Sequence, residues 1–102
     1  MLYGIYTMDY RTMIPMKSLI EMSQWLDFEY GYADFESDDL DTILKVMENQ
    51  FADKVYKKFY DDGKYGRTEC FLCYAVRNDG VPIATVDFDK TIKMINLSNL
   101  DN

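Results

Sequence analysis

The stretch Ser37-Asp-Asp-Leu-Asp-Thr-Ile-Leu-Lys-Val-Met-Glu-Asn-Gln-Phe-Ala-Asp-Lys-Val-Tyr-Lys-Lys-Phe-Tyr-Asp-Asp-Gly63 decides how this chain is read. Leu40, Ile43, Leu44, Met47, Phe51, Val55 and Phe59 recur at steps of three and four, which places them on one face of a helix. Ser37 stands where an N-cap belongs. Asp38, Asp39 and Asp41 fall in the first turn, where carboxylates meet the positive end of the helix dipole. Lys54, Lys57 and Lys58 lie near the other end, and Asp61-Asp62-Gly63 supplies a stop with glycine in the left-handed cap position. The pattern predicts one long helix over 37–60.

Upstream, Leu2 to Met8 reads as a strand, with aromatic and β-branched residues at alternate positions. Ile14-Pro15 breaks it. Met16, Leu19, Ile20, Ser23 and Leu26 then step at helical spacing, predicting a first helix from Met16 to about Asp27. An ordered loop or short extended segment is expected over Phe28–Phe35, with Gly31 as the breaker. Downstream, Glu69–Arg77 and Val81–Phe88 read as strands joined by the turn Asn78-Asp79-Gly80, with Pro82 at a strand start or on an edge. The stretch Lys90–Leu97 fits a third strand or a short helix, and 98–102 reads as a frayed tail. The order β-α-α-β-β predicts a single α+β domain over 1–102, a mostly antiparallel sheet with two helices packed on one face. Leu19, Ile20, Leu26, Leu40, Leu44, Met47, Phe51, Val55, Phe71, Ile83 and Val86 are its expected core.

The charge is uneven. The 102 residues carry a net −7, of which −5 falls in 34–62 while 63–102 is balanced. Between Lys17 and Lys45 there are eight acids (Glu21, Asp27, Glu29, Asp34, Glu36, Asp38, Asp39 and Asp41) and no base. Like charges this dense repel, so the run must be well solvated or matched by something positive. Such a field repels phosphates, which argues against bare nucleic acid or an anionic membrane surface as partner. The first ten residues lack the basic start and apolar core of a secretory signal, and no apolar run reaches the ~18 residues of a membrane span. A cytoplasmic protein with its two cysteines reduced is expected.

The composition is poor in catalytic machinery. There is no histidine, which removes the commonest general base and the Ser–His and Cys–His nucleophile pairs. Cys70-x-x-Cys73 lacks the four ligands of a structural zinc site, and on a strand a spacing of three sends side chains to opposite faces. Those two residues are read as buried thiols acting as small apolar groups. The acidic run does not match a calcium loop, which needs oxygen ligands at alternate positions around a glycine and a closing glutamate. Neither catalysis, a metal nor a cofactor is expected.

The hairpin Tyr74-Ala-Val-Arg-Asn-Asp-Gly-Val-Pro-Ile-Ala-Thr-Val86, after a strand and two helices, resembles the N-terminal half of a GCN5-related acetyltransferase over residues 1–90. That family holds the acyl-CoA pyrophosphate on a Gly-rich loop, roughly Arg/Gln-x-x-Gly-x-Gly/Ala, and this chain has no such loop. The resemblance therefore implies at most a degenerate, inactive domain. In size, acidity and absence of motifs the chain also resembles the anti-CRISPR and anti-restriction inhibitors that phages and mobile elements make. That resemblance implies a non-enzymatic inhibitor occupying the basic nucleic-acid groove of a CRISPR or restriction nuclease, or of another DNA-binding protein, in part by mimicking DNA. Glu29, Asp34, Glu36, Asp38, Asp39 and Asp41 would supply charge, and Tyr30 and Tyr32 would be the aromatic anchors that interfaces favour. The alternative is an adaptor or self-associating domain, homodimerisation included, whose acidic face serves only solubility.

Overall fold

A computed structural model describes residues 1–13 and 32–95. The strand that organises it is β4, Tyr65–Arg77. Its apolar run from Cys70 to Val76 does not alternate, as expected of a strand buried on both faces, and every one of those residues except Phe71 is fully buried. Strand β1 (Tyr3–Thr12) pairs with one edge of β4 along its whole length, Tyr3 opposite Arg77 and Thr12 opposite Thr68. The other edge is shared. Strand β3 (Tyr56–Asp62) takes its first half, and β5 (Pro82–Val86) takes its last. The short strands β2 (Phe35–Ser37) and β6 (Ile92–Met94) flank β1 and β5. All pairings are antiparallel, and the result is a small α+β domain with a curled sheet and one short helix among the described residues.

That helix, α1, spans Leu40–Val46 and continues as a π turn over Met47–Phe51 and a 3-10 turn over Ala52–Lys54. The expected helix over 37–60 is thus corrected: Val55 is already extended, and 56–62 is strand. Two local facts favour that outcome. Val55-Tyr56-Lys57-Lys58-Phe59-Tyr60 is rich in β-branched and aromatic residues, and Gly63-Lys64 forms a two-residue hairpin loop that pairs Asp62 with Tyr65. Gly63 has φ +84°, so it supplies a positive φ at the first loop position, as in a type II′ turn. A helix cap would have required a positive φ there too. Ser37 is likewise not the cap. It ends β2, its Oγ accepts the Asp39 N–H at 3.1 Å, and Asp39 is the N-cap residue.

The α1 side of the sheet buries Ile5, Ile43, Met47, Ala52, Val55, Cys73, Ala75, Ala84 and Val86. The opposite face buries Tyr10, Cys70, Leu72, Tyr74, Val76 and Ile95. Both faces of β4 are therefore core, where the sequence reading expected helices on one face only. Of the expected core, Met47, Val55 and Val86 are fully buried and Leu40, Leu44, Phe51, Phe71 and Ile83 are half-buried. Phe59, expected on the buried face of a helix, is instead 55% exposed and lies over Gly66, where a Cβ would meet its ring at 2.4 Å. The first predicted helix, with Leu19, Ile20 and Leu26, and the tail over 98–102 lie outside the described residues.

The Asn78-Asp79-Gly80 turn joins β4 to β5 as expected. Gly80 has φ +89°, Arg77 N–H donates to the Val81 carbonyl at 2.9 Å, and the Arg77 guanidinium holds Asp79 at 2.6 and 3.0 Å. Pro82 opens β5, where its missing N–H matters least. Within Lys90–Leu97 the structure places a strand at Ile92–Met94.

Candidate partner-binding edge

Two contacts seat the acidic run against the sheet. Asp34 N–H donates to the Ile5 carbonyl at 2.8 Å, and Asp34 Oδ2 accepts from Thr7 Oγ1 at 2.8 Å. Gly4 makes the close approach possible: a Cβ there would lie 2.9 Å from the Tyr6 ring and 3.0 Å from Ala33 Cβ. Pairing of β2 with β1 then sets Glu36 opposite Gly4. Beyond Ser37 the chain turns into α1, and Thr42 Oγ1 donates to Asp39 Oδ2 at 2.7 Å.

Asp34, Glu36, Asp38, Asp39 and Asp41 are all exposed. Among the described residues the ion pairs are Arg67–Glu69, Arg77–Asp79 and Lys93–Asp89, and none involves this edge. Tyr32 is fully exposed at its head. The structure thus brings together six of the eight proposed partner-binding residues; Glu29 and Tyr30 lie outside the described residues. Only Asp41 lies within the first turn of α1, with Asp39 at the cap and Asp38 before it.

Four basic side chains lie across the sheet from this edge. The β3–β4 hairpin carries Lys57, Lys58, Lys64 and Arg67, and β1 and β4 separate it from β2. Three of these cations stand over hairpin rings: Arg67 over Tyr60 at 4.8 Å, Lys58 over Tyr56 at 5.4 Å and Lys64 over Tyr65 at 5.5 Å. Such contacts hold a cation at the surface, and Arg67 has the Glu69 carboxylate at 3.6 Å as well. Sequence reasoning missed this ribbon because it read 56–60 as helix. The available signal was compositional, the β-branched and aromatic content of Val55, Tyr56, Phe59 and Tyr60.

A half-open cleft of about 150 Å³ lies beside Glu36, lined by Leu2, Tyr3, Gly4, Tyr6, Val76 and Asn78. Ligand pockets usually enclose about 300 Å³ or more, so this dent suits one protruding side chain better than a cofactor. Cys70 and Cys73 point to opposite faces, one in each core cluster. Burial pushes their thiols up to about 11 and about 12, with the Asp34 charge adding to the shift at Cys73. Both are therefore poor nucleophiles near neutral pH. Among the described residues no three His, Cys, Asp or Glu side chains group as a metal site, and no helix is long and apolar enough to cross a membrane. No known protein family, curated protein or solved structure matches the chain.

Proposed function

We propose that this chain is a non-enzymatic acidic inhibitor that occupies the basic nucleic-acid groove of a nuclease or DNA-binding protein, of the anti-CRISPR or anti-restriction kind. One observation carries the reading. Asp34, Glu36, Asp38, Asp39 and Asp41 stand exposed along one strand–helix edge, and no cation of the described residues pairs with any of them. Carboxylates left unpaired in this way offer Lys and Arg of a DNA groove charge-assisted bonds that phosphates would otherwise make. Tyr32, wholly exposed beside them, serves as anchor, with Glu29 and Tyr30 assigned to the same surface from the sequence.

The test is capture of a partner from host lysate by the wild type and by a variant with Asp34, Asp38, Asp39 and Asp41 changed to Lys. The expected partner is a nucleic-acid-binding protein that only the wild type retains. Both duplex DNA and salt of roughly 0.5 M should release it, the latter because Debye screening shortens to a few ångström. Equal capture by both forms, or indifference to DNA, would overturn the assignment. A second reading, self-association, is favoured by a different observation: beyond Ile5 the outer edge of β1 pairs with no described strand.

A further inference from the structure

We propose that two copies of this chain pair through the open edge of β1, antiparallel, about a two-fold axis at Tyr10. The backbone directions follow from two bonds. The Ile5 carbonyl accepts from Asp34 on the outer side, and the Leu2 carbonyl accepts from Asn78 on the β4 side. Because these directions alternate along a strand, Tyr6, Met8, Tyr10 and Thr12 aim their main-chain groups at β4. Thr7, Asp9 and Arg11 aim theirs outward. β2 covers this edge only from Tyr3 to Ile5, and among the described residues no strand continues it. The outward main-chain groups of Thr7, Asp9 and Arg11 thus meet no described strand, and a sheet edge of that kind is a template for another strand.

Charge selects the occupant and the register. Asp9 and Arg11 are both exposed, and neither belongs to an ion pair among the described residues. They are successive outward-bonding positions and share one face of the sheet. An axis at Asp9 would set the two Asp9 carboxylates directly opposite each other. An axis at Met8 would set Arg11 against Ile5 of the second copy, whose carbonyl already serves Asp34. An axis at Tyr10 sets Asp9 opposite Arg11 of the second copy, and Arg11 opposite its Asp9. The symmetry makes both ion pairs at once, each within a hydrogen-bonded pair of residues. The edge is complementary to itself.

Sedimentation velocity on the full chain across a concentration series tests this. The wild type should dimerise. Asp9→Lys sets lysine against arginine twice, and Arg11→Asp sets carboxylate against carboxylate twice; each should weaken the dimer by at least about tenfold. The double variant Asp9→Lys/Arg11→Asp recreates both opposite-charge pairs and should restore dimerisation. The rescue separates a broken interface from a damaged fold. A wild type that stays monomeric to about 1 mM, single variants that dimerise as well as the wild type, or a double variant without rescue would each overturn the proposal. So would loss of the dimer in the Asp34/Asp38/Asp39/Asp41→Lys variant with Asp9→Lys unaffected, because the contact would then join the acidic edge to the basic hairpin.

Discussion

Proline at two neighbouring positions, Lys57 and Lys58, distinguishes strand from helix in the segment that the sequence pattern misassigned. The Gly63-Lys64 loop closes on Asp62 and Tyr65, so the bonded pairs of the β3–β4 ladder are Asp62 with Tyr65, Tyr60 with Arg67, Lys58 with Glu69 and Tyr56 with Phe71. Lys58 therefore gives its N–H to β4, whereas Lys57 directs its N–H away from it. Lys58→Pro deletes a ladder bond of about 1 kcal/mol net and drives the ring against the Glu69 carbonyl, for a total of about 2–3 kcal/mol. Lys57→Pro leaves the ladder intact, as proline on an outward edge position does. It loses the Lys57 contact over Phe88 at 5.5 Å, worth about 0.5–1 kcal/mol.

Lys57→Ala and Lys58→Ala measure the side-chain losses alone, and subtracting them isolates the backbone effect. The two proline variants should then differ by about 2 kcal/mol, roughly a thirtyfold difference in the folded-to-unfolded ratio. In a helix over 37–60 both positions are interior, and each proline would cost about 3 kcal/mol with no difference between them. Urea unfolding followed by circular dichroism reads the difference directly. Equal destabilisation at 57 and 58 would refute the strand assignment and the hairpin with it.

Gly4→Ala should destabilise the domain by about 1–3 kcal/mol by overpacking against the Tyr6 ring and Ala33 Cβ. Amide shifts should concentrate in Ala33–Glu36; unchanged stability would mean the acidic run is not seated on β1. Cys70 and Cys73 should resist alkylation in the folded protein and react once it is unfolded. Their pKa values are raised from 9.0 to about 11 and about 12, so above pH 9 the unfolded chain releases thiol protons that the fold retains. Stability held below pH 9 should therefore fall as pH rises through 11–12, and a Cys70→Ala/Cys73→Ala variant should lose that slope.

Strands β1, β4 and β5 were legible because their signals are local: alternating β-favouring residues, an unbroken apolar run and an Asn-Asp-Gly turn. The first half of the predicted helix was legible for the same reason. One apolar face, from Ile43 through Met47 to Val55, stays buried through α1 and its π and 3-10 continuation. The error began at Tyr56. Over so few residues, Tyr56 to Tyr60 fit either period, and pairing with 65–71 decides the matter, a long-range event that spacing cannot register. Gly63 needed a positive φ under both readings and so could not arbitrate. Ser37 failed as a cap because Phe35–Ser37 pairs with β1, which moves the helix start to Asp39–Leu40. For the acidic edge, composition foretold the unpaired carboxylates. It could not foretell that Asp34 would be tied to Thr7, since that bond spans 27 residues of sequence.

The acidic edge and the open edge of β1 are consecutive on one side of the sheet. Asp34 closes the part paired with β2 at Ile5, and from Thr7 onward no described strand continues that edge. In the proposed dimer Thr7 lies opposite Met13 of the second copy. The two acidic runs then flank the junction, separated by about six residues of strand, or roughly 20 Å at 3.4 Å per residue. Dimerisation would therefore lengthen the array of carboxylates without burying it, and the basic hairpins, two strands away from each junction, would stay clear of it. A groove shaped for a run of phosphates is better matched by two such patches in line than by one. Self-pairing and occupation of a basic groove are thus compatible uses of adjoining surface, and the Asp9 and Asp34–Asp41 variants separate them because no residue belongs to both.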